Sequence, residues 1–178
     1  MALIMDLCLV RHGPPARKDV CYGWHDIPLA EPAQTTAESV AVQLPDWALQ
    51  PDTPIFSSPS TRCSEIASAL SRGRSVKLDE RLREVHFGAW EGQRWDDIPR
   101  PALDSWAKDP YGFAFPDGES VPAFIARCQS MLADLPPQAL VVTHAGVIRA
   151  FMHLHCELPL AEAFGSPVPF ASVHTIRN

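Results

Sequence analysis

At 178 residues, with 46% hydrophobic and 20% charged residues, the chain has the size and composition of an ordinary globular domain and not of a fibrous or disordered one. A formal net charge of −6 argues against a nucleic-acid partner that needs a general basic surface, so a local cationic pocket would mark a small-anion site. Five cysteines, odd in number and without a C-x-x-C pair, argue against a disulfide framework or a four-cysteine zinc site, and reduced thiols in a cytoplasmic protein are expected.

The N-terminal apolar run is short, contains Asp6 and runs into Arg11, so it reads as neither a signal peptide nor a membrane span. The spacing of Ala2–Val10 predicts a strand buried on both faces, ending in Arg11-His12-Gly13. Ligands of α/β proteins gather at the carboxyl ends of such strands, and Gly13 would leave room for a ligand or permit an unusual backbone angle. A loop from Pro14 to Ala30 follows, in which Tyr22-Gly23 invites a tight turn with an aromatic side chain available to line a pocket. Glu31–Leu44 is predicted to be helical, disturbed or ended at Pro45.

Residues 54–58 read as a short strand, with Ser58 as N-cap and Pro59 at the first position of a helix whose apolar face is Ile66, Ala69 and Leu70. Arg62 then falls in its first turn. A third strand over Ser75–Leu78 leads into Leu82–Gly92, and the Trp- and Pro-rich stretch from Gln93 to Gly118 supports only short helical pieces. A helix from Glu119 or Ser120 to Leu135 carries Phe124, Cys128, Met131, Leu132 and Leu135 on one face. Ala139–Thr143 reads as a buried strand, Val147–His155 as a helix, and Ala171–Ile176 as a last strand. Strands alternating with helices predict one three-layer α/β/α domain over residues 1–178, with a mostly parallel central sheet.

This layout delivers Arg11, His12, Arg62 and His144 to strand ends or the turns after them. Two arginines and two histidines in one place repel each other unless an anion is present, and guanidinium forks match the oxygens of a phosphate. An imidazole can present an unprotonated nitrogen near neutrality, so the chemistry available is phosphoryl transfer to histidine, with the cations stabilising the transferring oxygens. A carboxylic acid beside the phosphate would protonate the leaving alkoxide and later deprotonate water. Glu84 is the candidate, with Glu80 and Glu91 as rivals that read as a surface charge and a structural hydrogen-bonder. His153-x-His155-Cys156 invites a metal reading, but on a helix these side chains point to different faces, and no metal or other cofactor is expected.

Arg11-His12-Gly13, Ser58-Pro59 with Arg62, Leu82 through Gly92, and Thr143-His144-Ala145-Gly146 occur in this order, and together the chain resembles the histidine phosphatase (phosphoglycerate-mutase-like) superfamily. The resemblance implies that His12 becomes a phosphohistidine, that Arg11, Arg62 and His144 hold the phosphoryl group, that Glu84 is the proton donor, and that no metal takes part. It also places Glu119 and Ser120 near the substrate, although both would equally serve to start a helix. Cys21-Tyr22-Gly23, Asp26–Leu29, Trp95–Ile98, Trp106 and Pro116–Ser120 look most like the α-ribazole phosphatases of cobalamin biosynthesis.

The chain departs from the common pattern at Pro14-Pro15, where an acidic or amide residue and a hydroxyl usually follow the glycine, and at Ile66, where threonine is frequent. It lacks the long insertion and tail of cofactor-dependent phosphoglycerate mutases, which favours hydrolysis in an open site. The expected partner is a small phosphorylated metabolite, with no nucleic acid or membrane, and the oligomeric state stays open, a homodimer included. The rival readings are a broad-specificity sugar-phosphate or nucleotide phosphatase, a phosphoglycerate mutase, and a catalytically silent phosphate-binding protein.

Overall fold

A computed structural model describes residues 5–177. Five strands, β1 (Asp6–Arg11), β2 (Ile55–Ser57), β3 (Val76–Leu78), β4 (Gln138–Thr143) and β5 (Val173–Arg177), form one sheet in the order β3-β2-β4-β1-β5. Neighbours from β3 through β1 are parallel, and β5 alone runs antiparallel, against β1. The predicted three-layer, mostly parallel architecture is what the chain adopts.

The two central strands show why. In β1, Leu7 and Leu9 enter one core with Phe124, Met131, Ile148 and Phe151, while Cys8 and Val10 enter the other with Val40, Cys63, Ile66 and Leu70. Ala139 and Val141 of β4 join the first core, and Leu140 and Val142 the second. Side chains alternate across a strand, so a continuous apolar run is what a strand covered on both faces requires. Each aliphatic side chain so buried stabilises the fold by about 1.5–3 kcal/mol before entropy is counted. The second core is covered by α1 (Ala33–Ala41) and α2 (Thr61–Ser71), and the first by α4 (Val121–Asp134) and α5 (Ala145–His155). Two further helices, α3 (Arg100–Lys108) and α6 (Leu160–Gly165), lie in the long connections.

Several boundaries differ from expectation. The opening strand begins at Asp6, and the part of the expected run from Ala2 to Ile4 lies outside the described residues. Helix α1 is shorter at both ends than the predicted Glu31–Leu44. The last strand starts at Val173, two residues later than expected, and Ala171 before it takes a left-handed backbone angle. The start of α2 is corrected more substantially: Ser60 is its N-cap and Thr61 its first residue, so Ser58 and Pro59 precede it. Ser60 makes no side-chain cap bond. The free amide of Thr61 is instead capped by the Asp26 carboxylate at 2.9 Å, from a loop 35 residues earlier. Ser58 is thereby released for a different task. Helix α6 has no counterpart among the predicted elements.

The unusual backbone angle expected at Gly13 is also corrected. The glycine neither lines the cavity nor has a positive φ; a Cβ there would run into the side chain of Thr36 on α1. Thr36 is fully buried and its hydroxyl is bonded to Glu31 at 3.0 Å, so it has no room to retreat. Gly13→Ala is expected to destabilise the protein by about 1–3 kcal/mol through overpacking. Thr36→Ala in the same chain should recover part of that loss, as read from urea-melt midpoints of the single and double variants.

Candidate active site

The register of the central strands sets the site. Arg11 of β1 lies opposite Thr143 of β4, so the next residues, His12 and His144, leave the sheet level with each other. Their rings meet edge-on with centroids 5.2 Å apart, and both are almost completely buried. Ser57 of β2 is in register with Val142, which brings Ser58 beside the same ring. His144 Nε2 lies 2.8 Å from Ser58 Oγ and its Nδ1 3.4 Å from Arg62 Nη2. Arginine nitrogens only donate, so Nδ1 accepts and the ring proton sits on Nε2, directed at the serine.

His12 is held in one tautomer. Its Nδ1 donates to the carbonyl of Gly13 at 2.7 Å, which leaves Nε2 with a free lone pair. Burial first, and then the charge of Arg62, push His12 down to about 3, with Arg11 adding to the effect and the Gly13 hydrogen bond opposing it. His144 is likewise held well below its usual range by burial and by Arg62. Both imidazoles are therefore neutral at physiological pH, and His12 presents an unprotonated Nε2.

The arginines hold the charge. Arg11 donates to Val168 O at 2.5 Å and stacks on Phe170, 3.7 Å from the ring centroid. Arg62 is fully buried on α2, bonded to Gly23 O at 2.7 Å and to His25 O at 3.3 Å, with Asp26 Oδ1 at 3.4 Å. It stands behind the histidines and not on the cavity wall. The Nε atoms of both arginines are buried and have no hydrogen-bond partner among the described residues. Buried donors are nearly always satisfied in folded proteins, so these two guanidinium N–H groups lack the acceptor such groups normally have, and the charges of both arginines bear on His12.

Glu84 reaches the site from the loop after β3. Its carboxylate accepts from the amide of Gly146 at 3.0 Å, in the first turn of α5, and from its own neighbour Val85 at 3.1 Å. A Cβ at position 146 would collide with that carboxylate, so the glycine is a condition of the approach. The backbone carrying Glu84 is clamped by Arg127 of α4, which donates to the carbonyls of Arg81, Arg83 and Glu84 at 2.7–2.8 Å.

Four of the residues expected to bind substrate are placed differently. Glu119 pairs with Arg127 at 2.7 Å and accepts from the amide of His86, and Ser120 caps α4; both have these partners within the protein and stand outside the cavity lining. Gly13 packs against α1, as described above. A Cβ on Gly23 would strike the carbonyl of Val85, and its own carbonyl supports Arg62, so its role is also in packing and positioning. Tyr22 does line the cavity, with its phenol raised by burial against the opposing pull of Arg11 and Arg62.

That cavity has a volume of about 610 Å³ and runs from Arg11, His12, His144 and Glu84 outward to Phe87, Trp95, Trp106, Tyr111, Phe115 and Phe164. Trp95 and Trp106 are nearly parallel, 14° between planes and 6.4 Å between centroids. Arg149 also lines it and is absent from the residues predicted for the site. A signal existed: Arg149 follows Gly146 by three residues, and positions i and i+3 share a helix face. Ser58, which bonds the second histidine, escapes sequence reasoning because it reads so readily as a helix cap.

Neutral histidine, orphaned guanidinium donors and an anchored carboxylate around one cavity define a site equipped for transfer of a phosphoryl group. A profile of the Histidine phosphatase superfamily (branch 1) matches residues 7–177, and the chain belongs to that family. It is 28% identical over 174 residues to the 6-phosphofructo-2-kinase/fructose-2,6-bisphosphatase of Caenorhabditis elegans, a match covering 93% of this chain and 37% of that protein. The chain spans about a third to a half of the length of the curated relatives it matches. Among solved structures it is similar to a phosphoglycerate mutase from Thermus thermophilus, with 32% identity, a TM-score of 0.74, and coverage of 97% of this chain and 92% of that one. A structure described as "a putative alpha-ribazole-5'-P phosphatase" from Escherichia coli superposes with a TM-score of 0.86 at 22% identity, covering 97% and 90% of the two chains, which is a likeness of fold.

The lowered histidines carry a consequence for stability. With His12 at about 3 in the folded protein and 6.5 unfolded, the unfolded chain binds the extra proton between those values, so stability falls as pH drops through that window. For His12 alone the loss at pH 5 is about 2 kcal/mol. His12→Gln is expected to shrink the stability difference between pH 7 and pH 5 in urea titrations. An unchanged difference would mean that the histidine does not titrate as described.

Proposed function

We propose that the protein is a metal-independent phosphomonoesterase that works through a phosphohistidine on His12. The observation that carries this reading is the pair of buried, unpartnered guanidinium N–H groups of Arg11 and Arg62 acting on a histidine whose Nε2 is free. His12 Nε2 attacks phosphorus as the P–O bond to the leaving group breaks. Arg11, Arg62 and His144 stabilise the charge on the three equatorial oxygens. Glu84 is the general acid that gives a proton to the leaving oxygen. Water then loses a proton to Glu84 and attacks phosphorus, the N–P bond breaks, and inorganic phosphate leaves.

The substrate we favour is α-ribazole 5′-phosphate, in a soluble cytoplasmic setting. The aromatic wall supports this, because Phe87, Trp95, Trp106 and Phe115 offer rings against which a flat heterocycle can stack. A broad-specificity phosphatase for sugar phosphates or nucleotides is the second reading, and Arg149 on the cavity wall favours it by offering a further cation to a more polar substrate.

Hydrolysis of p-nitrophenyl phosphate in EDTA should proceed in the wild type and vanish in His12→Ala; equal turnover by the variant would refute the mechanism. Gly146→Ala, which evicts the Glu84 carboxylate, should lower kcat/KM, which reads the transfer to His12 and not the later attack of water, at least tenfold on an alkyl phosphate and much less on p-nitrophenyl phosphate, whose leaving group needs no proton. The same loss on both would remove Glu84 as the acid. A kcat/KM preference below tenfold for α-ribazole 5′-phosphate over common sugar phosphates and 3-phosphoglycerate would favour the second reading.

A further inference from the structure

We infer that Glu91 is a positioning residue for the phosphoryl site, acting through Gly23 on Arg62 and through Phe87 on the segment that carries Glu84. Its carboxylate collects four backbone amides. Oε2 accepts from Gly23 and His25, and Oε1 from Trp24 and Phe87, each at 2.9 Å. Amides of three consecutive residues converging on one point make a concave anion-binding nest. Here the chain's own carboxylate fills it, 68 residues away from Gly23 in sequence.

The consequence passes through one residue to the site. Gly23 gives its N–H to Glu91 and its carbonyl to Arg62 Nη2 at 2.7 Å, the shortest contact that the guanidinium makes. His25 does the same at 3.3 Å. Arg62 is fully buried and its Nε is orphaned, so the direction in which that donor points is set by the carbonyls its terminal nitrogens bind. On the other side, Glu91 ties Phe87 to the same nest, and the Trp24 indole donates to Glu84 O at 2.9 Å. One carboxylate thus sets the spacing between the loop that orients the cation and the loop that carries the acid.

The chemistry demands a carboxylate. Each oxygen accepts two N–H groups, so a glutamine in either amide orientation would turn an NH₂ toward two donors. An aspartate keeps the charge but lacks the reach to serve both loops.

The inference rests on the proposed function insofar as it assigns Arg62 to the phosphate, so its test reads binding and does not depend on turnover. Dissociation constants for inorganic phosphate are measured by calorimetry for the wild type, Glu91→Gln, Arg62→Lys and the double variant, on protein shown folded by circular dichroism. Glu91→Gln should weaken phosphate binding at least tenfold in the wild-type background and by a clearly smaller factor in the Arg62→Lys background, because lysine has no fork for Gly23 to orient. An equal or larger factor in the second background, or no weakening in the first, overturns the inference and leaves Glu91 as a fold-stabilising residue only. If Glu91→Gln does not accumulate as folded protein, Glu91→Asp takes its place in the same cycle. A wild type that binds phosphate but hydrolyses no phosphomonoester refutes the proposed function while the cycle still decides the role of Glu91; a wild type that binds no phosphate refutes both.

Discussion

Two histidines and two guanidinium groups crowd together at one end of the cavity, with Arg62 buried behind the other three, and burial decides which of them carry charge. Imidazole surrenders its proton at a modest cost, whereas guanidinium does not. His12 and His144 are therefore neutral beside permanently charged Arg11 and Arg62. The same arrangement that disfavours a proton on His12 keeps its lone pair free and leaves two cationic N–H groups without acceptors among the described residues. A phosphate oxyanion answers all three conditions together, which is why the site reads as a receptor for that group and not as a satisfied core.

The histidine pair exists because β1 and β4 are adjacent, parallel and in the register that sets Arg11 against Thr143. A one-residue slip would turn every alternate side chain to the wrong core, so the packing of Leu7, Leu9, Val141 and their opposites enforces the register. The geometry of the chemistry is in this sense a by-product of filling two hydrophobic layers. The strand ends supply the level, and the loops supply the orientation.

Those loops are held by single side chains that gather several backbone groups. Asp26 caps α2 and touches Arg62, Arg127 collects three carbonyls around Glu84, and Glu91 collects four amides between the two walls. Each replaces hydrogen bonds that irregular backbone cannot make to itself. The stretch from Arg83 to Gly118 holds one nine-residue helix, α3, among short turns of 3-10 helix and irregular backbone, and the aromatic cluster of Trp90, Trp95, Trp106 and Phe115 packs it against the first core.

What the sequence determined by itself were the doubly buried strands, the α/β layering, and the meeting of Arg11, His12 and His144 with Glu84, since each rests on a local pattern or a strand end. One role is misread from an equally local cue, Ser58 as a helix cap, and for Glu119 and Ser120 local cues leave a helix start and a substrate contact both open. The partners that reassign Ser58, and that cap α2 in its place, lie far away in the chain: His144 is 86 residues from Ser58, and Asp26 is 35 from the amide it caps. Only the tertiary structure decided those pairings, together with the place of Arg149, the aromatic wall and the Glu91 nest. Hydrophobic periodicity records which face of an element is buried, but carries no trace of which distant polar group will satisfy a buried donor.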